Sequence, residues 1–363
     1  MQMVIVDPVA PRPYGAQTLK EQPLGGTEAT VVRIAEALDA IVLQHNRTDD
    51  EGRYRPLTAD VTPSLVVTLR EAAAALAMVE RFPAARHAMW LHDLAGPASD
   101  RGKKLLGFAP RLAAAGVTII CVSEFHAAEV RSTFASLDAA QRPQVMRIYN
   151  PVDVAAAAPT AVDPDKLVFF SSPHKGLDYT LSLFAHLHAR QPALRLYIAN
   201  PGYLPSVARK LPGVINLGAV PHHVILGHVR SALCTLYPNY VYPETFGLAL
   251  AESNALGTPV LTHAIGAAAE VLNGDGQMIA VPAIRSLVDS VYWRLPRLRT
   301  IGEAALNRLG FARAYADRID LWRGGGRPVV AGRAEFAIDA VCAHWHTLLV
   351  GPTILTDCAD ARI

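Results

Sequence analysis

Short apolar runs alternate with longer amphipathic segments through most of this chain, which restricts it to β-α-β units with a largely parallel sheet. In the first series the expected strands are Met3 to Val6, Ile41 to Gln44, Ser64 to Thr68, Ala88 to Leu91, Thr118 to Val122 and Val145 to Tyr149. A second series follows with Lys166 to Ser171, Leu194 to Ala199, Val214 to Leu217, Cys234 to Tyr237, Pro259 to His263 and Gln277 to Val281. Helices are expected at Leu177 to Ala189 and Phe246 to Leu256, and at Gly26 to Ala40, where Val31, Val32, Ile34, Ala35 and Leu38 recur at helical spacing. Between the series, Val154 to Asp165 is rich in Ala and Pro, lacks an amphipathic period and reads as an interdomain connection. A length of 363 residues agrees with about two domains. The expectation is an α/β chain of two Rossmann-like, doubly wound domains, residues 1–154 and 155–330, facing a cleft across the carboxyl ends of their strands. Residues 331–363 contain an apolar helix from about Ala334 to Leu349, placed after the Gly324-Gly325-Gly326 break. It could cap either domain, including by crossing back to the first.

Composition narrows the class. Hydrophobic residues make up 51% and charged residues 18%, too apolar for a disordered chain. The 34 Lys+Arg against 32 Asp+Glu leave +2, which gives a nucleic-acid partner no electrostatic footprint. No run of about 18 apolar residues appears, and Met1 to Ala10 has no basic residues ahead of its apolar run. A cytoplasmic location is expected. Cys121, Cys234, Cys342 and Cys358 form no Cys-x-x-Cys pair, which argues against a disulfide framework or a thiolate metal site.

The most specific segment is Tyr242-Pro-Glu-Thr-Phe-Gly-Leu-Ala-Leu-Ala-Glu252, followed by Ser253-Asn-Ala-Leu-Gly-Thr-Pro-Val260. On a helix of 1.5 Å rise, Glu244 would lie at the N-terminus and Glu252 about 12 Å further along, on nearly the same side. The residues between them are apolar almost all round. Glu252 is therefore expected to be buried and to need hydrogen-bond donors, which a ribose diol or an arginine could supply. Upstream, Phe169-Phe-Ser-Ser-Pro-His-Lys-Gly-Leu177 ends a strand in a loop whose Gly176 opens a helix, and it reads as a phosphate cradle. Leu24-Gly-Gly-Thr-Glu28 opens a helix with two glycines, and Met89-Trp-Leu-His-Asp-Leu94 brings His92 to a strand end at the cleft rim.

Together these segments resemble the retaining, two-Rossmann-domain (GT-B) glycosyltransferases of family 4, most strongly from Lys166 to Leu272. The resemblance implies transfer of a sugar from a nucleotide-diphosphate donor, UDP- or GDP-linked, to an acceptor hydroxyl in polysaccharide or glycolipid assembly, without metal or other cofactor. It implies that Glu244 contacts the donor sugar, that Glu252 holds the ribose and that His92 binds the sugar's O6. Lys175 would meet charge developing on the leaving diphosphate, and the amides of Gly25, Gly26, Thr245, Phe246 and Gly247 would face the sugar and phosphates. Ser171 and Ser172 fall on the phosphate side, and Gly202, Tyr203 and Val220 are candidate base contacts. One departure stands out: many members place an arginine five residues before this lysine, and here the position is Phe170. Either the serines and backbone amides replace it, or another cation reaches the diphosphate.

Several features are set aside. Asp163-Pro-Asp165 precedes its expected strand, whereas a nucleotide-metal site would follow one. His344 and His346 sit two apart on a helix and face different ways. Arg101, Lys103 and Lys104 beside Leu105, Leu106 and Phe108 form either a solvated helix end or a small patch for peripheral contact with the inner membrane face. The rival readings are a glycoside phosphorylase of the same fold and a non-catalytic sugar-binding subunit. A dehydrogenase would need a Gly-x-Gly-x-x-Gly after a strand, which is absent.

Overall fold

In a computed structural model, residues 1–154, 160–200, 211–239, 242–280 and 311–350 are described. The first sheet comprises β1 (Met3–Asp7), β2 (Ile41–Gln44), β3 (Tyr54–Pro56), β4 (Leu65–Leu69), β5 (Arg86–Trp90), β6 (Thr118–Cys121) and β7 (Val145–Arg147), in the order β3-β2-β1-β4-β5-β6-β7. The second comprises β8 (Asp163–Phe170), β9 (Arg195–Ala199), β10 (Val214–Gly218), β11 (Ala232–Leu236) and β12 (Val260–Leu261), in the order β10-β9-β8-β11-β12. All neighbouring strands pair in parallel. Every residue of β1, β4 and β11 is buried, as expected of strands covered by helices on both faces. The strand order reverses at β1/β4 and at β8/β11, and ligand crevices of such sheets lie at those points.

Two expectations are corrected, and one strand lies outside the expected set. Asp163 and Asp165 belong to β8 itself and pair with Arg195 and Arg323, so they neither precede the strand nor form a pair for a metal. The stretch from Gln277 makes a single bridge, Thr262 to Met278, because the Gln277 side chain, rather than a strand partner, accepts the Val260 amide. Residue 281 lies outside the described residues. The third strand was not foreseen: it is three residues long, lies at the sheet edge and ends in proline, which edge positions tolerate.

The C-terminal helix Ile338–Val350 crosses back to the first sheet. Trp345, fully buried, meets the buried Trp90 edge-on with ring centroids 4.8 Å apart. Where the chain crosses, the Val152 amide donates to the Phe336 carbonyl at 2.8 Å, and Tyr149, Phe246 and Phe336 meet edge-on and tilted in an aromatic cluster linking both domains. Three of the basic residues of the helix Asp100–Ala114 face an acid: Arg101 faces Asp93, Lys103 faces Asp100 and Lys104 faces Glu71, while Arg111 lies over the Phe108 ring. Leu105 is buried, and Leu106 and Phe108 pack against the core beneath.

Removing the Trp345 ring leaves a cavity against Trp90. Trp345→Ala should cost about 3–5 kcal/mol of stability, read as a lowered urea midpoint. An unchanged midpoint would show that the helix is not fastened there.

Candidate active site

A cavity of about 620 Å³ lies between the two domains, at the carboxyl ends of their strands. Gly25, Gly26, His92, Ser171, Ser172, Lys175, Val220, Glu244, Thr245, Phe246, Gly247 and Glu252 all line it. Gly202 and Tyr203 lie outside the described residues.

The segment carrying the two glutamates does not form one helix. Gly247 adopts φ 91°, a left-handed conformation that glycine reaches without strain, and the helix starts after it, at Leu248–Ala255. Glu244 therefore lies in the preceding loop and not in a helical first turn, so the 12 Å helical spacing does not apply. Gly266, at φ 60°, permits a close backbone approach to it, since a Cβ there would lie 2.6 Å from both the amide nitrogen and the carbonyl oxygen of Glu244. The Ala267 amide then donates to the Glu244 carbonyl at 2.9 Å. Phe246 turns its side chain into the aromatic cluster at 1% exposure.

Glu244 is buried and charge-compensated. Lys175 Nζ donates to its Oε2 at 2.7 Å, and the Tyr237 hydroxyl donates to its Oε1. Burial, and then the Glu244 charge, push the Tyr237 hydroxyl well above its usual range, so it remains a donor. Lys175 is thus poised on a carboxylate; Gly176 behind it adopts φ 100° and opens the helix Leu177–Arg190. Burial followed by the Arg70 charge holds His92 well below the usual histidine range, so it is neutral; its Nε2 is buried and has no hydrogen-bond partner among the described residues.

Glu252 is buried at 3% exposure. His222 Nε2 lies 3.0 Å from its Oε2 and Arg33 Nη2 lies 3.4 Å from its Oε1. Burial raises the carboxyl's pKa, yet His222 and Arg33 outweigh it and hold Glu252 below the usual carboxylate range. An arginine does therefore pair with Glu252, one of the two alternatives its expected burial left open. It comes from the other domain, on the helix Gly26–Leu38.

Other contacts cross the cleft. The Thr245 hydroxyl donates to the His92 carbonyl at 2.7 Å, and the Ser123 hydroxyl donates to the Thr245 carbonyl. Glu270 accepts the amides of Glu124 and Phe125 at 2.7 and 3.1 Å, at the start of the first-domain helix Glu124–Thr133. A Cβ on Gly26 would meet Leu248 Cδ1 of the second domain at 3.1 Å, so the glycine lets the two walls approach. Sequence reasoning missed Arg33, His222, Tyr237, Gly266 and Glu270. Only Arg33 carried a signal, a cation seven positions after Gly26 on the same helix face. No group of three or more metal-capable side chains occurs among the described residues.

Residues 164–295 match the family model described as Glycosyl transferases group 1. A sequence search of curated proteins finds no match. Among solved structures, the chain is similar to AviGT4, a glycosyltransferase involved in avilamycin A biosynthesis, at 17% identity and TM-score 0.58, covering 97% of this chain and 99% of that one. It is similar to Anabaena HepE, solved in complex with UDP and glucose, at 14% identity and TM-score 0.56, covering 96% and 99%. TarM matches at 13% identity and TM-score 0.53 over 79% of this chain, which spans about half, 55%, of that protein's length. The fold is that of GT-B glycosyltransferases, and the match to the group 1 glycosyltransferase model falls on residues 164–295, within the second domain.

Two measurements check this geometry. In a crystal structure of Gly266→Ala, the main chain at Glu244 should shift and the Lys175 pair should lengthen, because a methyl group cannot sit 2.6 Å from two backbone atoms. An unmoved Glu244 would show that the close approach does not depend on Gly266.

The second measurement is pH-dependent. Burial pushes His126 down to about 4, while its bond to the Asp93 carbonyl opposes the shift. An unfolded histidine titrates near 6.5. The neutral ring's contribution is therefore present above about pH 6.5 and is lost as pH falls towards 4. Stability of the wild type should decline over that window, with a shallower slope in His126→Gln; identical slopes would contradict the assignment.

Proposed function

We propose that this chain is a glycosyltransferase that moves a sugar from a nucleotide-diphosphate donor, UDP- or GDP-linked, to an acceptor hydroxyl, with retention of anomeric configuration and without a metal. The observation that carries this reading is the convergence of Lys175, Glu244, Glu252 and the Gly25-Gly26 amides on one interdomain cavity. Support also comes from the group 1 glycosyltransferase match and from a structural neighbour solved with UDP and glucose.

On this reading Glu252 accepts the ribose hydroxyls and Glu244 the sugar hydroxyls. The amides of Gly26 and Thr27, at the start of their helix, face the diphosphate. The acceptor oxygen attacks the anomeric carbon on the face the diphosphate leaves. The bond from that carbon to the phosphate oxygen breaks, and the freed phosphate oxygen takes the acceptor's proton. No side-chain base is then required. The protein supplies orientation and charge, and Lys175 shares its ammonium between Glu244 and the leaving diphosphate. The acceptor is a sugar, polysaccharide or lipid-linked hydroxyl bound by the first domain.

A panel of nucleotide-sugars tests the reading, with release of the nucleoside diphosphate as the signal. The wild type should bind or turn over at least one donor; failure with all of them, or reaction only with a glycoside and phosphate, would overturn it. With donor in excess, Lys175→Ala should lower kcat by about 10²–10³. A near wild-type kcat would remove Lys175 from the leaving-group role.

A further inference from the structure

We infer that Arg33, from the first domain, is the cation that meets the α-phosphate of the donor, in place of the second-domain arginine that position 170 lacks. This rests on the nucleotide-sugar reading above.

Phe170 lines the cavity at 7% exposure and belongs to an apolar cluster with Ala199 and Ile225, so the phosphate side of the second domain carries no arginine there. Lys175 is paired with Glu244 and, on the reading above, meets the leaving diphosphate from the sugar end, which leaves the ribose side to another cation. On the first-domain wall, Arg70 faces two acids, Glu28 at 3.8 Å and Asp93 at 3.6 Å, with its Nε also buried and without a hydrogen-bond partner among the described residues; Arg101 faces Asp93 at 2.6 Å, and the exposed Arg12 donates to the Pro23 carbonyl. Arg33 differs from all of these. It is 8% exposed, in the middle of a helix stretch that is otherwise Ala29 to Ala35 and apolar but for Thr30, and arginine is rarely buried without a strong partner.

Its present bonding is loose. Nη2 reaches both Glu252 Oε1 and His222 Nδ1 at 3.4 Å, while Nη1 is buried with no hydrogen-bond partner among the described residues. A guanidinium keeps its charge, and a buried donor left unpaired is destabilising. When ribose hydroxyls engage Glu252, Arg33 is adjacent to the ribose with an unmatched nitrogen. The next anion along a nucleotide from the ribose is the α-phosphate, which suits a fork of donors. Gly26 and Arg33 are seven residues apart on one helix, hence on one face and about 10 Å apart, so amides and guanidinium address the same substrate from the same wall. The cation then arrives only when the domains are together, and that ties diphosphate binding to closure.

The test separates phosphate contact from support of Glu252. Affinities of UDP and uridine, and of GDP and guanosine, are measured by calorimetry or competition for the wild type, Arg33→Gln and Arg33→Lys. Arg33→Gln retains a donor for Glu252, and circular dichroism checks its fold. The diphosphate should bind about tenfold or more weakly to Arg33→Gln, as loss of a charged hydrogen bond requires, with the nucleoside changed less than about threefold and Arg33→Lys intermediate. Phe170→Arg added to Arg33→Gln should recover diphosphate affinity. Equal losses for diphosphate and nucleoside, or none, would overturn the inference and leave the glycosyltransferase reading standing. Failure of the wild type to bind either diphosphate would overturn both.

Discussion

Two carboxylates are buried between the domains, and each is held by charged or hydroxyl partners. An unpaired buried carboxylate would protonate or destabilise the fold. Glu244 is compensated within its own domain, by Lys175 and the Tyr237 hydroxyl. Glu252 has His222 from its own domain and Arg33 from the other. The chemistry of the cavity follows from this asymmetry: one acid is complete in the second domain, and the other depends on how the two domains meet.

The meeting of the domains is fastened at several points away from the carboxylates. Phe336 and Tyr149 hold Phe246 from behind, the Glu270 carboxylate takes two free amides of a first-domain helix, and Ser123 and His92 bracket Thr245. Free amides at a helix start are natural sites for a carboxylate. Each contact joins a residue of the Glu244–Glu270 stretch to the first domain or to the returning chain. Movement between the domains would therefore act directly on the loop that carries Glu244.

Most of the architecture was legible because buried parallel strands are written as continuous apolar runs. Ile41–Gln44 was read to the residue, and all but one of the other first-sheet strands were found within a few positions. Tyr54–Pro56 escaped because three residues with a terminal proline carry no periodic signal. The sequence pattern starts the helix that carries Glu252 too early because Pro-Glu-Thr-Phe-Gly contains nothing in the one-dimensional pattern that announces the left-handed turn at Gly247. A glycine there is compatible with a helix, a turn or a cap until its φ is known.

The amino-acid order by itself determined the two parallel sheets, the glycine-opened helices and the identity of the charged residues at the strand ends, since each depends on periodicity and short spacings. Tertiary structure alone decided which charge compensates which. Arg33 reaches Glu252 across 219 positions, Gly266 approaches the Glu244 backbone from a separate loop and Trp345 closes over Trp90 from the far end of the chain. Those pairings depend on distances between elements remote in sequence, and local propensity carries no information about such distances.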